Sequence, residues 1–261
     1  MKNYCFTLAY NLPSEVEKVT KLLYQLNNRE DFEHYIIDLG FPLTMPHTLV
    51  KNISEGKRIN TIKLLDIAKK YGSGLIQMPN IGVSQNWTQV YKHLKVQDDD
   101  ILIGCDPDEH PQQFGWVKAM GNVIREGNYA LCSLVMDVNI TDLANIAYTT
   151  QRVANQIVYD MDGIGSWALV GMSGKFLNLI KEVPYLEAAP RYGWIEAGVW
   201  EKMAQHKMKW CYLADYHVTH TDFELGDPGT SSLLRKWKNE IIFDVEKGQI
   251  SFDEWLVKRR R

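Results

Sequence analysis

The sequence predicts an α/β fold, a mainly parallel sheet flanked by helices and folded as a single domain. Two observations carry that expectation. Through the first 130 positions, short apolar runs alternate with amphipathic segments of roughly 10 to 15 residues, the pattern of strands joined by right-handed crossover helices. The 261-residue chain is also 45% hydrophobic and 23% charged, so it can bury a substantial core and is unlike disordered or fibrous sequences.

Tyr4 to Ala9 is the first apolar run, closed by the turn residues Tyr10-Asn11-Leu12-Pro13. A helix is expected from Ser14. Ser14 and Glu17 have capping-box spacing, and Val19, Leu22, Leu23 and Leu26 recur at i, i+3, i+4 and i+7. Tyr35 to Leu39 reads as the second strand, closed by Gly40 and Pro42. Leu64, Ile67, Ala68 and Tyr71 predict a second helix that Gly72 ends. Leu75 to Met78 is the third strand, and a helix with Trp87, Val90, Tyr91 and Leu94 on one face begins near Ser84. Ile101 to Cys105 is the fourth strand, and Pro111 is expected to open a fourth helix carrying Phe114, Val117 and Ile124.

Beyond residue 130 the texture changes. Ala130 to Val138, Trp167 to Met172 and Trp210 to Tyr216 read as strands, and Ser173 to Ile180 and Glu196 to His206 as helices. Ile140 to Tyr159 is polar and poorly patterned, and His217 to Thr230 reads as a loop. The tail ends in a helix capped by Ser251 with Glu254, followed by Lys258-Arg259-Arg260-Arg261. No repeat, low-complexity tract or linker divides the chain.

With 29 basic against 32 acidic side chains and a net charge of -3, the chain does not read as a nucleic-acid binder with a broad basic face. Tyr129 to Met136, the longest apolar stretch, is too short to span a bilayer, and Lys2 and Glu15 argue against a secretory signal. Cys5, Cys105, Cys132 and Cys211 each sit in an apolar, strand-like run, which suits buried thiols in a reducing compartment better than disulfides or a zinc site. A cytoplasmic protein is expected. The four terminal cations beside Trp255 and Leu256 are either a solvated helix end or a weak contact with an anionic membrane surface, which would make the protein peripheral at the inner face of a membrane.

Ligands of parallel sheets sit at the carboxyl ends of the strands, so the polar residues there matter most. The most informative run is Ile101-Leu102-Ile103-Gly104-Cys105-Asp106-Pro107-Asp108-Glu109-His110-Pro111. An apolar strand delivers two carboxylates spaced D-x-D to its end, with a third acid beside them. Such a cluster is solvated or coordinates a cation, since burying it unpaired is costly. Mg²⁺ and Mn²⁺ are commonly held by one or two carboxylates, with water and substrate phosphates completing the octahedron. The competing reading is an acidic turn capping the helix opened by Pro111.

The order of these features resembles the inverting nucleotide-sugar glycosyltransferases of family 2 and their relatives, which have the GT-A (Rossmann-like) fold. The resemblance runs from about residue 3 to 220. Ala9-Tyr10-Asn11 matches the Tyr-Asn motif ending the family's first strand, and Asp38 holds the place of its nucleobase-contacting Asp. Asn80-Ile81-Gly82-Val83-Ser84-Gln85-Asn86 is similar to an N-x-G-x-x-x-N motif, and Asp106-Pro107-Asp108 to the metal-binding motif. The resemblance implies that Asp106 lies near ribose or metal, and that Asp108 binds Mn²⁺ or Mg²⁺ directly. The Gly-rich Asp162-Gly163-Ile164-Gly165-Ser166-Trp167 matches the stretch where the acceptor enters, so Gly165, Trp167 and Trp194 become acceptor-side candidates. Glu196, in Gly193-Trp194-Ile195-Glu196, takes the place of the catalytic base, and His220 that of a His reaching the metal or diphosphate.

The family's usual acidic pair is here Glu196 alone, preceded by Ile195, and Asn139 to Met161 has no family counterpart. By this resemblance residues 1–225 form the catalytic domain, with a nucleotide-binding half over 1–128, an acceptor half over 129–225 and an extension over 226–261. The implied activity is metal-dependent transfer, with inversion, from a nucleoside-diphosphate sugar to a saccharide or lipid-linked acceptor in glycan or polysaccharide biosynthesis.

Plainer roles compete at each position. Asp38 is also a common turn residue, Asn80 and Asn86 suit helix caps, Glu196 suits a first helical turn, and Trp87 and Trp200 at helical spacing suit a core. Trp167 and Trp194 could instead stack on a sugar face. A sugar nucleotidyltransferase would need a Gly-rich loop with Arg near residue 10, which Tyr10-Asn11-Leu12-Pro13 lacks. A glycoside hydrolase would use two carboxylates and no nucleotide. A non-catalytic nucleotide- or glycan-binding protein of the same fold would bind without turnover.

Overall fold

The computed structural model describes residues 1–9, 13–42, 60–80, 83–136, 148–161, 167, 169–184 and 195–220. Its first half is β1 (Asn3–Ala9), α1 (Pro13–Gln25), β2 (Glu33–Pro42), α2 (residues 60–71), β3 (Gly74–Asn80), α3 (Val83–Leu94), β4 (Ile101–Gly104), β5 (Glu109–Pro111) and α4 (Trp116–Gly127). The second half follows as β6 (Leu131–Met136), β7 (Tyr148–Val153), β8 (Gln156–Met161), β9 (Gly171–Ser173), α5 (Gly174–Ile180), α6 (Ile195–His206) and β10 (Trp210–His220).

The described strands form one mixed sheet in the order β3-β2-β1-β4-β9-β6-β10-β8-β7, with β5 laid on β10. Pairing is parallel across β3, β2, β1 and β4, and again between β6 and β10. The other pairings, made by β5, β7, β8 and β9, are antiparallel. Central strands read as unbroken apolar runs because both faces are covered. The period of two sorts their side chains. Phe6 and Leu102 face Trp87, Val90, Phe176, Val199 and Met203 of α3, α5 and α6, whereas Cys5, Ile101 and Ile103 face Val19, Leu23, Trp116 and Met120 of α1 and α4. A third cluster joins Ala9 and Ile36 to Val16 of α1 and to Leu64, Ile67 and Ala68 of α2.

Several expectations are corrected. The first helix starts at Pro13 rather than Ser14, as befits a proline that has no N–H to leave unpaired; Ser14 lies inside the helix, and Glu17 pairs with Lys70 at 2.6 Å instead of closing a capping box. Pro111 does not open a helix: it lies in β5 opposite Val218, and α4 begins at Trp116 after Gly115, whose φ of 82° breaks the backbone direction. Phe114 is therefore outside the helix and 59% exposed. The polar stretch after residue 140 contains the β7–β8 hairpin, turned at Ala154 and Asn155 with φ of 49° and 61°. Its buried Asp160 is held by Lys209 at 2.6 Å and Gln151 at 2.9 Å. The strand expected from Trp167 reduces to β9, because Leu169 adopts a left-handed φ of 39° that no strand continues through. His217 to His220 is strand rather than loop: after a register shift on β6, the end of β10 pairs with β5.

Other expectations hold. Gly72 (φ 70°) ends α2, Ser173 caps α5 by accepting the Phe176 N–H at 3.1 Å, and all four cysteines are buried and unbridged. Among the described residues no helix is long and apolar enough to cross a membrane. Residues 221–261, with the proposed extension and its basic helix, lie outside the described residues.

Two consequences can be measured. His34 is fully buried between Thr7 (3.2 Å) and Ser73 (2.9 Å), and burial, aided by Arg29, lowers its pKa from 6.5 to about 3. Below about pH 6.5 the unfolded chain takes up a proton that the folded chain refuses, so stability is complete above that pH and falls as pH drops toward 3. The expected loss is about 2 kcal/mol between pH 7 and pH 5, flattened in His34→Gln and read by denaturant titration at each pH. Second, a Cβ on Gly104 would overlap Cζ2 of the buried Trp87. Gly104→Ala must displace that ring, at a cost of about 1–3 kcal/mol in chemical denaturation and with a shifted tryptophan emission maximum.

Candidate active site

Parallel pairing brings the carboxyl ends of the first strands to one edge. Ala9 is in register with Asp38, and Asp38 with Gln77. Ala9 is fully buried in the cluster with Val16 and Leu64. Asp38 is 3% exposed; its Oδ2 accepts the Thr61 hydroxyl at 2.7 Å and the Gln77 amide at 3.2 Å. A carboxylate fixed from two neighbouring elements is a positioned acceptor rather than a solvated turn. Nothing in the sequence flags Thr61 as its partner, because the pair is 23 residues apart and lies on two different elements, β2 and α2.

Asn80 ends β3 opposite Pro42, and its side chain is outside the described part. Asn86 is 1% exposed in the first turns of α3, where its Oδ1 accepts from Gln89 at 3.4 Å. It is a buried helical residue and not a cap. Tyr10, Asn11, Gly165 and Trp194 fall outside the described residues.

The acidic motif forms a tight turn off β4. The Glu109 N–H donates to the Asp106 carbonyl at 3.1 Å, with Pro107 at the second position, where its fixed φ favours such a turn. Asp106 and Asp108 are half-buried on this turn. Glu109 behaves differently from the pair before it. It is 4% exposed, and its Oε2 accepts the N–H of Leu169 at 2.8 Å and that of Asp106 at 3.4 Å. Burial, and then the neighbouring Asp106 carboxylate, push its carboxyl well above the usual range, while the Leu169 N–H opposes the rise. In register, Glu109 stands opposite His220, so β5 brings the end of β10 beside the acidic turn; the His220 side chain is not described.

A divalent cation fits this donor set. Two half-buried carboxylates at a strand end suit a hard ion that arrives with phosphates. Among the described residues no three His, Cys, Asp or Glu side chains gather into a metal-holding group.

Trp167 is half-buried and stands edge-to-face between Trp87 (5.2 Å, 70°) and Trp210 (6.2 Å, 87°). It is thus a ring fixed by the core, with part of its surface open. Glu196 is the second residue of α6, its side chain undescribed; Ile195 before it is 1% exposed and joins Val199 and Met203 in the core, which accounts for an apolar residue where an acidic pair was expected. A Cβ on Gly198 would meet the Pro184 backbone at 3.1 Å, so α6 packs closely on that segment. Thr88 of α3 in turn accepts the Val183 N–H at 2.9 Å, and the start of α6 is tied to the helix that follows β3.

No profile of a known protein family and no curated protein matches the chain. Solved structures resemble it at low sequence identity. A structure of residues 1–349 of TarS from S. aureus superimposes with a TM-score of 0.53 at 13% identity, covering 84% of this chain, which spans 60% of that one. The same protein in complex with UDP gives 0.51, again at 13% identity, over 85% of this chain and 61% of that one. Glucosyl-3-phosphoglycerate synthase from Mycobacterium tuberculosis, solved with Mn²⁺, UDP and glucosyl-3-phosphoglycerate, gives 0.51 at 12% identity over 92% of this chain and 77% of that one. The chain shares the mixed, helix-flanked α/β sheet of these structures.

Proposed function

We propose that this protein is a glycosyltransferase that moves a sugar from a nucleoside-diphosphate sugar to an acceptor hydroxyl, with a divalent cation, with inversion, and in glycan or polysaccharide biosynthesis. The observation that carries this reading is the Asp106-Pro107-Asp108 turn at the end of β4, on the same sheet edge as the fixed Asp38. Support comes from the fold shared with TarS, which was solved with UDP, and with the synthase solved with Mn²⁺ and UDP.

In this reading Asp38 accepts a hydrogen bond from the nucleobase, with Thr61 and Gln77 holding it in place. Ala9, Tyr10, Asn11, Asn80 and Asn86 border the nucleoside. Asp106, Asp108 and His220 hold Mn²⁺ or Mg²⁺ together with the diphosphate. That ion, when bound, offsets the negative charge on the departing nucleoside diphosphate. Glu196 takes the proton from the acceptor hydroxyl as it attacks the anomeric carbon. Trp167, with Gly165 and Trp194, lines the acceptor side; the edge-to-face packing of Trp167 on Trp87 and Trp210 fixes the ring against which a sugar face aligns. The acceptor is a saccharide or lipid-linked glycan.

The test combines binding and turnover. Thermal unfolding with UDP or GDP should shift upward only when Mn²⁺ is present, and Asp108→Ala should abolish the shift. Glu196→Gln should keep the shift while release of nucleoside diphosphate from nucleotide sugars falls about 10²–10⁴-fold. Full metal-dependent transfer by Asp108→Ala, or indifference of the native protein to every nucleotide, sinks the proposal. Asp38→Ala should weaken UDP binding about tenfold or more by calorimetry, since one fixed charged acceptor is lost. Release of pyrophosphate from a nucleoside triphosphate and a sugar phosphate would favour a nucleotidyltransferase instead; the apo structure of a UDP-glucose pyrophosphorylase superimposes with a TM-score of 0.50 at 8% identity, over 96% of this chain and all of that one.

A further inference from the structure

Glu109 lies where three separately encoded segments meet. Its backbone belongs to β5 and stands opposite His220 at the end of β10. Its N–H closes the Asp106–Glu109 turn, and one oxygen of its side chain accepts both the Asp106 N–H (3.4 Å) and the Leu169 N–H (2.8 Å). Asp106 is therefore held by the same residue at its N–H and at its carbonyl. Leu169 is 1% exposed and left-handed at φ 39°, a strained geometry for a γ-branched residue that persists only where its surroundings fix it. Two residues earlier the chain carries Trp167.

The geometry points to Glu109 as a positioning residue: a buried clasp that sets the Asp106–Asp108 turn at a fixed height against the Trp167–Leu169 segment, and so couples the metal-binding side of the cleft to its acceptor side. It acts through the two backbone N–H groups and touches neither ion nor sugar. The assignment of the two sides rests on the glycosyltransferase reading; the clasp itself rests on the hydrogen bonds.

Because a single oxygen accepts both bonds, the side-chain carbonyl of glutamine can replace it. Aspartate keeps the carboxyl group but is one methylene short of reaching both donors. The clasp therefore orders the variants by reach and not by charge. Amide hydrogen exchange in the nucleotide-free protein should show the Leu169 and Asp106 amides about as slow in Glu109→Gln as in the native chain, and at least about tenfold faster in Glu109→Asp and Glu109→Ala. By calorimetry, the factor by which Mn²⁺ strengthens UDP binding should stay within about threefold of native in Glu109→Gln and shrink about tenfold or more in Glu109→Asp.

The reverse order, with aspartate conserving that factor and glutamine losing it, shows that the carboxyl group itself is required and overturns the clasp. Equal exchange at Leu169 in the native chain and Glu109→Asp overturns it as well. If Glu109→Ala fails to fold, the glutamine–aspartate pair still decides. If the native protein shows no Mn²⁺-dependent UDP binding, the glycosyltransferase reading falls, while the exchange order alone decides the clasp.

Discussion

β1 is paired in parallel on both sides, to β2 and to β4, and most of what the molecule can do follows from that arrangement. Parallel neighbours must run in one direction and return by connections over the sheet, so β1, β2, β3 and β4 deliver their last residues to the same edge. Backbone hydrogen bonds, not side-chain attraction, bring Ala9, Asp38 and the turn after Gly104 into one row. The side chains then refine what the ladder has aligned: Thr61 and Gln77 fix Asp38, and the Trp87 ring lies where a Cβ on Gly104 would stand.

The second half reaches that edge by other means. β6 and β10 add a further parallel pair, while β9 fills the space between β4 and β6 with a strand of three residues that runs the opposite way. The tip of β10 then passes beyond the main ladder and pairs with β5, immediately after the acidic turn. The start of α6 is set by close contact with Pro184 and, through Val183, by Thr88. Register thus sets Ala9 beside Asp38 at one strand end and His220 opposite Glu109 at another. TarS and the glucosyl-3-phosphoglycerate synthase share the architecture at 12–13% identity, so little of it depends on particular side chains.

Much of the first half was legible in the sequence, because its signals are local and periodic. Leu64, Ile67 and Ala68 mark a helix face, Gly72 stops it, and the carboxylates after Ile101–Gly104 announce a strand end. The misreadings cluster where distant pairing overrides a local preference. Pro111 looks like a helix start until β10 claims it as a strand partner. Ala154-Asn155 lacks the glycine that usually betrays a two-residue hairpin turn, so β7 and β8 were hidden in a polar stretch. At the site, Asp106 and Asp108 could be picked out by spacing, and Glu109 was visible only as a third acid. That its carboxyl turns inward to Leu169, 60 residues on, is a property of the folded chain that no local pattern encodes.

The four cysteines carry a practical consequence. Each is at most 1% exposed; the neighbouring Cys5 sulfur and burial hold the Cys105 thiol, and burial and the Cys132 sulfur the Cys211 thiol, well above the usual thiol range. Alkylating reagents attack the thiolate, so the folded surface offers them nothing. A cysteine introduced at the exposed Phe114, three residues beyond β5, would be the sole labelling point on an otherwise unaltered chain. A dye or spin label could then be set beside the acidic turn without first removing any native sulfur.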